Sequence, residues 1–159
     1  MTGAGAWHPD WPGFEPGGSL VLPLPDERFR QLEPRLCVDG IELRRKREFH
    51  ATLLDAALGT RVRDSVPDVA ARFAKLDWQW QLTGERWLLR EDKGSGAAHT
   101  VIELLDMPAL NAFRRDLSAP LGDEIPDAPA HVTLYLANSD RGIGLSSLQE
   151  FERLRLRRL

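Results

Sequence analysis

A chain of 159 residues with net charge −3, 42% hydrophobic and 28% charged residues, has the composition of one globular domain with a sizeable core. That balance argues against broad, nonspecific coating of nucleic acid, and no apolar run approaches the ~18 residues that a membrane-spanning helix needs. The opening Met1–Trp11 lacks a basic patch followed by an apolar core, and the single Cys37 has no partner within the chain, so a cytoplasmic protein without a secretory signal is expected; a monomer is expected as well.

Residues 1–19 are rich in Gly and Pro and show no periodicity, which predicts an arm pinned by Trp7, Trp11 and Phe14 onto a domain spanning 20–159. Leu20–Leu24 reads as a first strand. Pro25-Asp26 opens a helix with Phe29, Leu32 and Leu36 on one face, disturbed at Pro34. Cys37 reads as a small buried hydrophobe. After a turn at Asp39-Gly40, the chain is extended from Ile41 to Arg47 and onward to Leu54. Residues 56–64 form a connector, and Ser65-Val66-Pro67-Asp68 carries the marks of a helix start, followed by Val69, Phe73 and Leu76 at helical spacing.

Trp78-Gln79-Trp80-Gln81-Leu82 alternates as a half-buried strand, and Thr83–Arg86 turns it into Trp87–Glu91 as a hairpin. Alternating tryptophans of this kind read as core before base-stacking platform. Lys93-Gly94-Ser95-Gly96 is a flexible loop without phosphate-loop spacing. A strand over 99–105 leads to a helix begun by Asp106-Met107-Pro108 and carrying Leu110, Phe113 and Leu117. Residues 118–129 are an acidic, proline-rich loop expected beside the functional cleft. A strand follows from 130, then a loop over 138–144, a short helix over 145–152 and an alternating strand over 153–159. The absence of a βαβ rhythm predicts an α+β fold with antiparallel sheets.

Two stretches of this chain carry chemistry. His50-Ala51-Thr52-Leu53 and His131-Val132-Thr133-Leu134 repeat one pattern, each in an apolar segment of strand character. Side chains two apart on a strand share a face, so each copy offers an imidazole beside a hydroxyl with its other face in a core. By the same alternation Tyr135 belongs on the His131 face, and Lys46 on the His50 face if that strand runs straight. Arg44-Arg45-Lys46-Arg47 is one of two basic clusters. The other, Arg153–Arg158, reads as a solvated face.

The doubled H-x-T-x motif resembles that of the two-histidine (2H) phosphoesterases, which include RNA 2′,3′-cyclic phosphodiesterases. The resemblance implies a bilobal fold: two antiparallel sheets with flanking helices around a central cleft. It implies His50, Thr52, His131 and Thr133 as catalytic residues; Tyr135 and Lys46, from the faces they share with the two histidines, are expected to touch substrate. It also implies hydrolysis of a 2′,3′-cyclic phosphate on an RNA 3′ end or nucleotide to a 2′-phosphate, with His131 as base toward water and His50 as acid toward the 3′ oxygen. Neither motif contains H-x-H, H-x-x-x-H or a carboxylate, so no metal or other cofactor is expected. Alternatives are another phosphodiester substrate, such as a cyclic oligonucleotide or a 2′-5′ linkage, and a non-catalytic nucleotide-binding module.

Overall fold

The computed structural model describes residues 7–94, 96–139 and 142–159. Its strands are β1 (Leu20–Pro23), β2 (Arg35–Val38), β3 (Ile41–Arg45), β4 (His50–Leu54), β5 (Gln81–Lys93), β6 (Gly96–Asp106), β7 (His131–Ala137) and β8 (Arg155–Arg158). The α-helices are α1 (Ala56–Ser65), α2 (Val69–Ala74), α3 (Pro108–Leu121) and α4 (Leu148–Leu154), with one 3-10 turn at Asp26–Phe29. The fold is α+β with two antiparallel sheets of unequal size. One pairs β1 with β4, and the other runs β2-β3-β7-β6-β5-β8. No described helix is long and apolar enough to cross a membrane.

Neighbouring strand residues enter different cores, as a period of two demands. Leu88 and Val101 join the main core with Val62 of α1, Phe73 of α2 and Phe113 of α3. Leu89 and Ile102 join a smaller core with Phe151 and Leu154 of α4. Trp78 and Trp80 are buried in the main core ahead of β5, so they are packing residues and not a half-buried strand. Trp7, Trp11 and Phe14 pack on that core as expected for the arm. Residues 1–6 lie outside the described residues.

Several expectations are corrected by side-chain bonding. The hairpin is not turned at Thr83–Arg86: β5 passes through those residues as an irregularity against β6 and runs on to Lys93, which pairs with Gly96 of β6. Ser95 of the expected 93–96 loop lies outside the described residues. At the irregularity the Thr83 hydroxyl donates to the Leu104 carbonyl, the Gly84 N–H donates to the Glu103 carboxylate, and Arg86 pairs with Glu103 at 2.9 Å. The expected helix over 25–36 shrinks to one 3-10 turn, since Pro34 lacks an N–H and pushes Glu33 toward extended backbone. Leu36 instead enters β2.

The 56–64 connector is α1, capped by the Asp55 carboxylate on the Leu58 N–H at 2.8 Å. Ser65 ends that helix instead of capping the next, and α2 begins only at Val69. Cys37 is exposed, not buried: Leu36 and Val38 face the core from edge strand β2, and the residue between them faces a side that nothing covers. The 118–129 loop shortens to 122–129 because α3 continues through Pro120.

Candidate active site

Alternation on β4 holds. Ala51 and Leu53 are fully buried, while His50 and Thr52 are half-buried and open to a cleft. Strand β7 comes from the centre of the larger sheet and is buried along its whole length. The two strands belong to different sheets yet pack side by side. His50, Thr52, His131 and Thr133 thereby line a single cleft of about 1170 Å³.

The alternation on β7 breaks at Leu134. Val101 pairs with Tyr135, but the next residue, Ile102, pairs with Thr133, leaving Leu134 as the extra residue of a β-bulge. His131 and Thr133 therefore share their face with Leu136, which lines the cleft, and Tyr135 turns the other way. Tyr135 is buried in the main core and its hydroxyl donates to the Glu33 carbonyl at 2.9 Å. The expected contact of Tyr135 with substrate is corrected on this ground.

Lys46 reaches the cleft by a route other than a straight strand. β3 ends at Arg45 and β4 begins at His50 in the other sheet, so Lys46 lies in the link between them. Its N–H donates to the Leu134 carbonyl at 2.9 Å, which ties the link to the bulge. Burial lowers the pKa of its ammonium, with Glu48 opposing. Arg44, Arg45 and Arg47 line the same cleft, as do the carboxylates of Glu15, Glu48 and Asp55.

The two imidazoles differ in their surroundings. His131 Nδ1 lies 2.9 Å from the Pro129 carbonyl. A carbonyl only accepts, so Nδ1 carries the proton in this bond and the lone pair of the neutral ring sits on Nε2. Burial lowers the His131 pKa from 6.5, opposed by that bond to Pro129. The His50 pKa is lowered to about 4, first by burial, then by Lys46, with Glu48 opposing and His131 adding repulsion. Both rings are therefore neutral at pH 7 in the free protein, and His131 disfavours a proton on His50.

Two functional positions escaped the motif reading. The first is Arg114, buried on α3, whose guanidinium donates to the carbonyls of Leu53 (2.9 Å), Pro126 (3.0 Å) and Ser146 (2.8 Å). It joins the residue after Thr52 to the segments on either side of β7. Its signal was an Arg on the apolar face of a helix, between Leu110 and Leu117. The second is Gly142, where a Cβ would stand 2.7 Å from Thr133 Oγ1, so only glycine leaves that hydroxyl its place.

The expected flanking role of the 118–129 loop is not met, since none of its residues lines the cleft. It is held instead by Asn111 and Arg114, and by Arg115 on Asp127. The Arg153–Arg158 cluster is solvated or paired as expected: Arg157 meets Asp39, Arg158 meets Glu85, and Arg155 lies over the Trp87 ring. Among the described residues no three His, Cys, Asp or Glu side chains are grouped as a metal ion would need.

No family model, curated protein or solved structure matches the chain.

Proposed function

We propose that this protein is a phosphoesterase of the two-histidine kind, with a bilobal arrangement about its cleft, hydrolysing 2′,3′-cyclic phosphates of RNA ends or nucleotides. One observation carries the reading: both H-x-T pairs line the same cleft beside a run of four cations. The Thr52 and Thr133 hydroxyls donate to the non-bridging phosphate oxygens, where negative charge shifts as the bond breaks. His131, with Nδ1–H committed to Pro129, offers Nε2 as base to a water. The water oxygen bonds to phosphorus, the bond from phosphorus to the 3′ oxygen breaks, and His50 delivers a proton to that oxygen. The product is a 2′-phosphate. The proton held by His131 returns to His50 through solvent.

The acid step requires His50 to hold a proton, which its pKa of about 4 denies it in the free protein. An anionic phosphate beside the ring favours the charged form and restores the proton on binding. A non-catalytic nucleotide-binding module is favoured by the same low value, because a binder has no use for the proton. Turnover separates the two. Purified protein in EDTA is expected to convert a 2′,3′-cyclic nucleotide to the 2′-phosphate with a bell-shaped pH–rate profile. The His131→Ala variant is expected to lose that turnover. Absence of turnover on cyclic nucleotides and cyclic-ended RNA refutes the enzyme reading.

A further inference from the structure

The described cations differ in whether a carboxylate meets them. Ten arginines distributed over the surface each meet a carboxylate within 4 Å. Among the described residues nine cations meet none: Lys75 on its own, Arg28 and Arg155 over aromatic rings, Arg114 held by backbone carbonyls, and Arg30, Arg44, Arg45, Lys46 and Arg47, which are grouped about the link between β3 and β4. An acidic protein with 24 carboxylates against 21 Lys and Arg has no shortage of partners for them. Individual surface ion pairs are worth little, so their number says nothing about stability. Their distribution does matter for the field, because unpaired cations grouped at one place concentrate positive potential there.

The place is a second pocket abutting the cleft. A cavity of about 470 Å³ is lined by Asp26, Phe29, Arg30, Pro34 and Phe49 together with Arg45, Lys46 and Arg47, and those last three also line the His/Thr cleft. The link between β3 and β4 is thus a wall between the His/Thr cleft and this second pocket. Within the second pocket four cations stand against the single carboxylate of Asp26. The aromatic rings of Phe29 and Phe49 stack beneath it with centroids 4.4 Å apart, giving it a firm floor. Nothing in the hydrolysis above uses Arg30 or this pocket.

We infer that the second pocket binds a second phosphate of the substrate, so that the preferred ligand carries two phosphates and is the end of an oligonucleotide, not a mononucleotide. The inference rests on the proposed function for the identity of the first phosphate. In a strand ending in a 2′,3′-cyclic phosphate, the next phosphate is on the 5′ oxygen of the same terminal nucleoside. Arginine forks suit such a group through paired N–H donors.

The test is calorimetric titration of the intact protein with adenosine 2′-monophosphate and adenosine 2′,5′-bisphosphate, each at several salt concentrations. The bisphosphate is expected to bind at least tenfold more tightly, with a steeper salt dependence. Arg30→Ala is expected to reduce that ratio about threefold, and Arg30→Glu to abolish it. Both change an exposed side chain, and a thermal melt confirms that each variant folds. Equal affinities in the unsubstituted protein, or a preference that survives Arg30→Glu, overturn the second site. Turnover of a cyclic mononucleotide without any bisphosphate preference refutes the second site and leaves the phosphoesterase reading standing. A bisphosphate preference that depends on Arg30 without turnover supports the second site and refutes the phosphoesterase reading.

Discussion

Strands β4 and β7 carry the same motif in opposite settings. β7 is flanked on both edges by β3 and β6, while β4 has one partner, β1, in the smaller sheet. The ring on the central strand is buried and held in one tautomer by a carbonyl. The ring on the two-stranded sheet is half-buried, has no hydrogen-bonded partner among the described residues, and feels Lys46 and Glu48 nearby. A repeated sequence pattern therefore does not produce two equivalent groups. The environment makes one ring a fixed acceptor and the other a group whose proton depends on what charge enters the cleft.

The largest expected effect comes from removing either ring. Loss of a positioned proton-transfer group costs roughly 10²–10⁴ in rate, so His131→Ala and His50→Ala should each lower kcat on a 2′,3′-cyclic nucleotide by about that range. Single-turnover rates measure it, and near-full activity in either variant removes that ring from the chemistry.

Arg114→Met breaks the joint between the two strands. It leaves three carbonyls without their donor and should cost about 3 kcal/mol of stability, read by urea unfolding. Gly142→Ala acts on the β7 side alone, because the added methyl displaces the Thr133 hydroxyl. A loss of about tenfold in kcat with an unchanged melting temperature is expected, since one donor to the phosphate is misplaced.

The subtler differences between the rings are read by pH. Both free-protein pKa values are depressed, so kcat/KM should reach its optimum on the acid side of 6.5, whereas kcat, which reports the substrate complex, should peak closer to neutrality. Lys46→Met removes a cation that holds the His50 value down, and should move that limb of kcat/KM to higher pH. A profile unaltered by this change breaks the assignment.

The smallest expected effect is on folding. A histidine whose native pKa is about 4 against about 6.5 unfolded is neutral in the fold. Its unfolded form binds protons first as pH falls, so stability from His50 is present above 6.5 and is lost between 6.5 and 4. With solvent screening at a half-buried site, the loss is on the order of 1–2 kcal/mol. Melting temperatures of the unsubstituted protein and His50→Gln should converge across that window.

Much of the fold and site was legible from local pattern. The H-x-T pairs, the apolar face of β4, the start of α3 at Pro108 and the closing strand β8 all follow from periods of two or 3.6 and from turn chemistry. What escaped depends on partners far away in the chain. The direction of Tyr135 was misread because a bulge resets the period of two, and the bulge exists only where β6 and β7 are in register. The displaced hairpin was decided by Glu103 reaching back to Gly84 and Arg86.

By itself the sequence determined which side chains could do chemistry: two imidazoles, two hydroxyls and a run of cations, each presented by a short element of known period. Only the tertiary structure decided that these converge on one cleft, that one ring is locked and the other is free, and that Arg30 joins the cations from a different segment. The reason is physical. Local backbone preferences set which way a side chain points along its own element, whereas burial, charge proximity and hydrogen-bond supply are set by whatever the rest of the chain brings alongside.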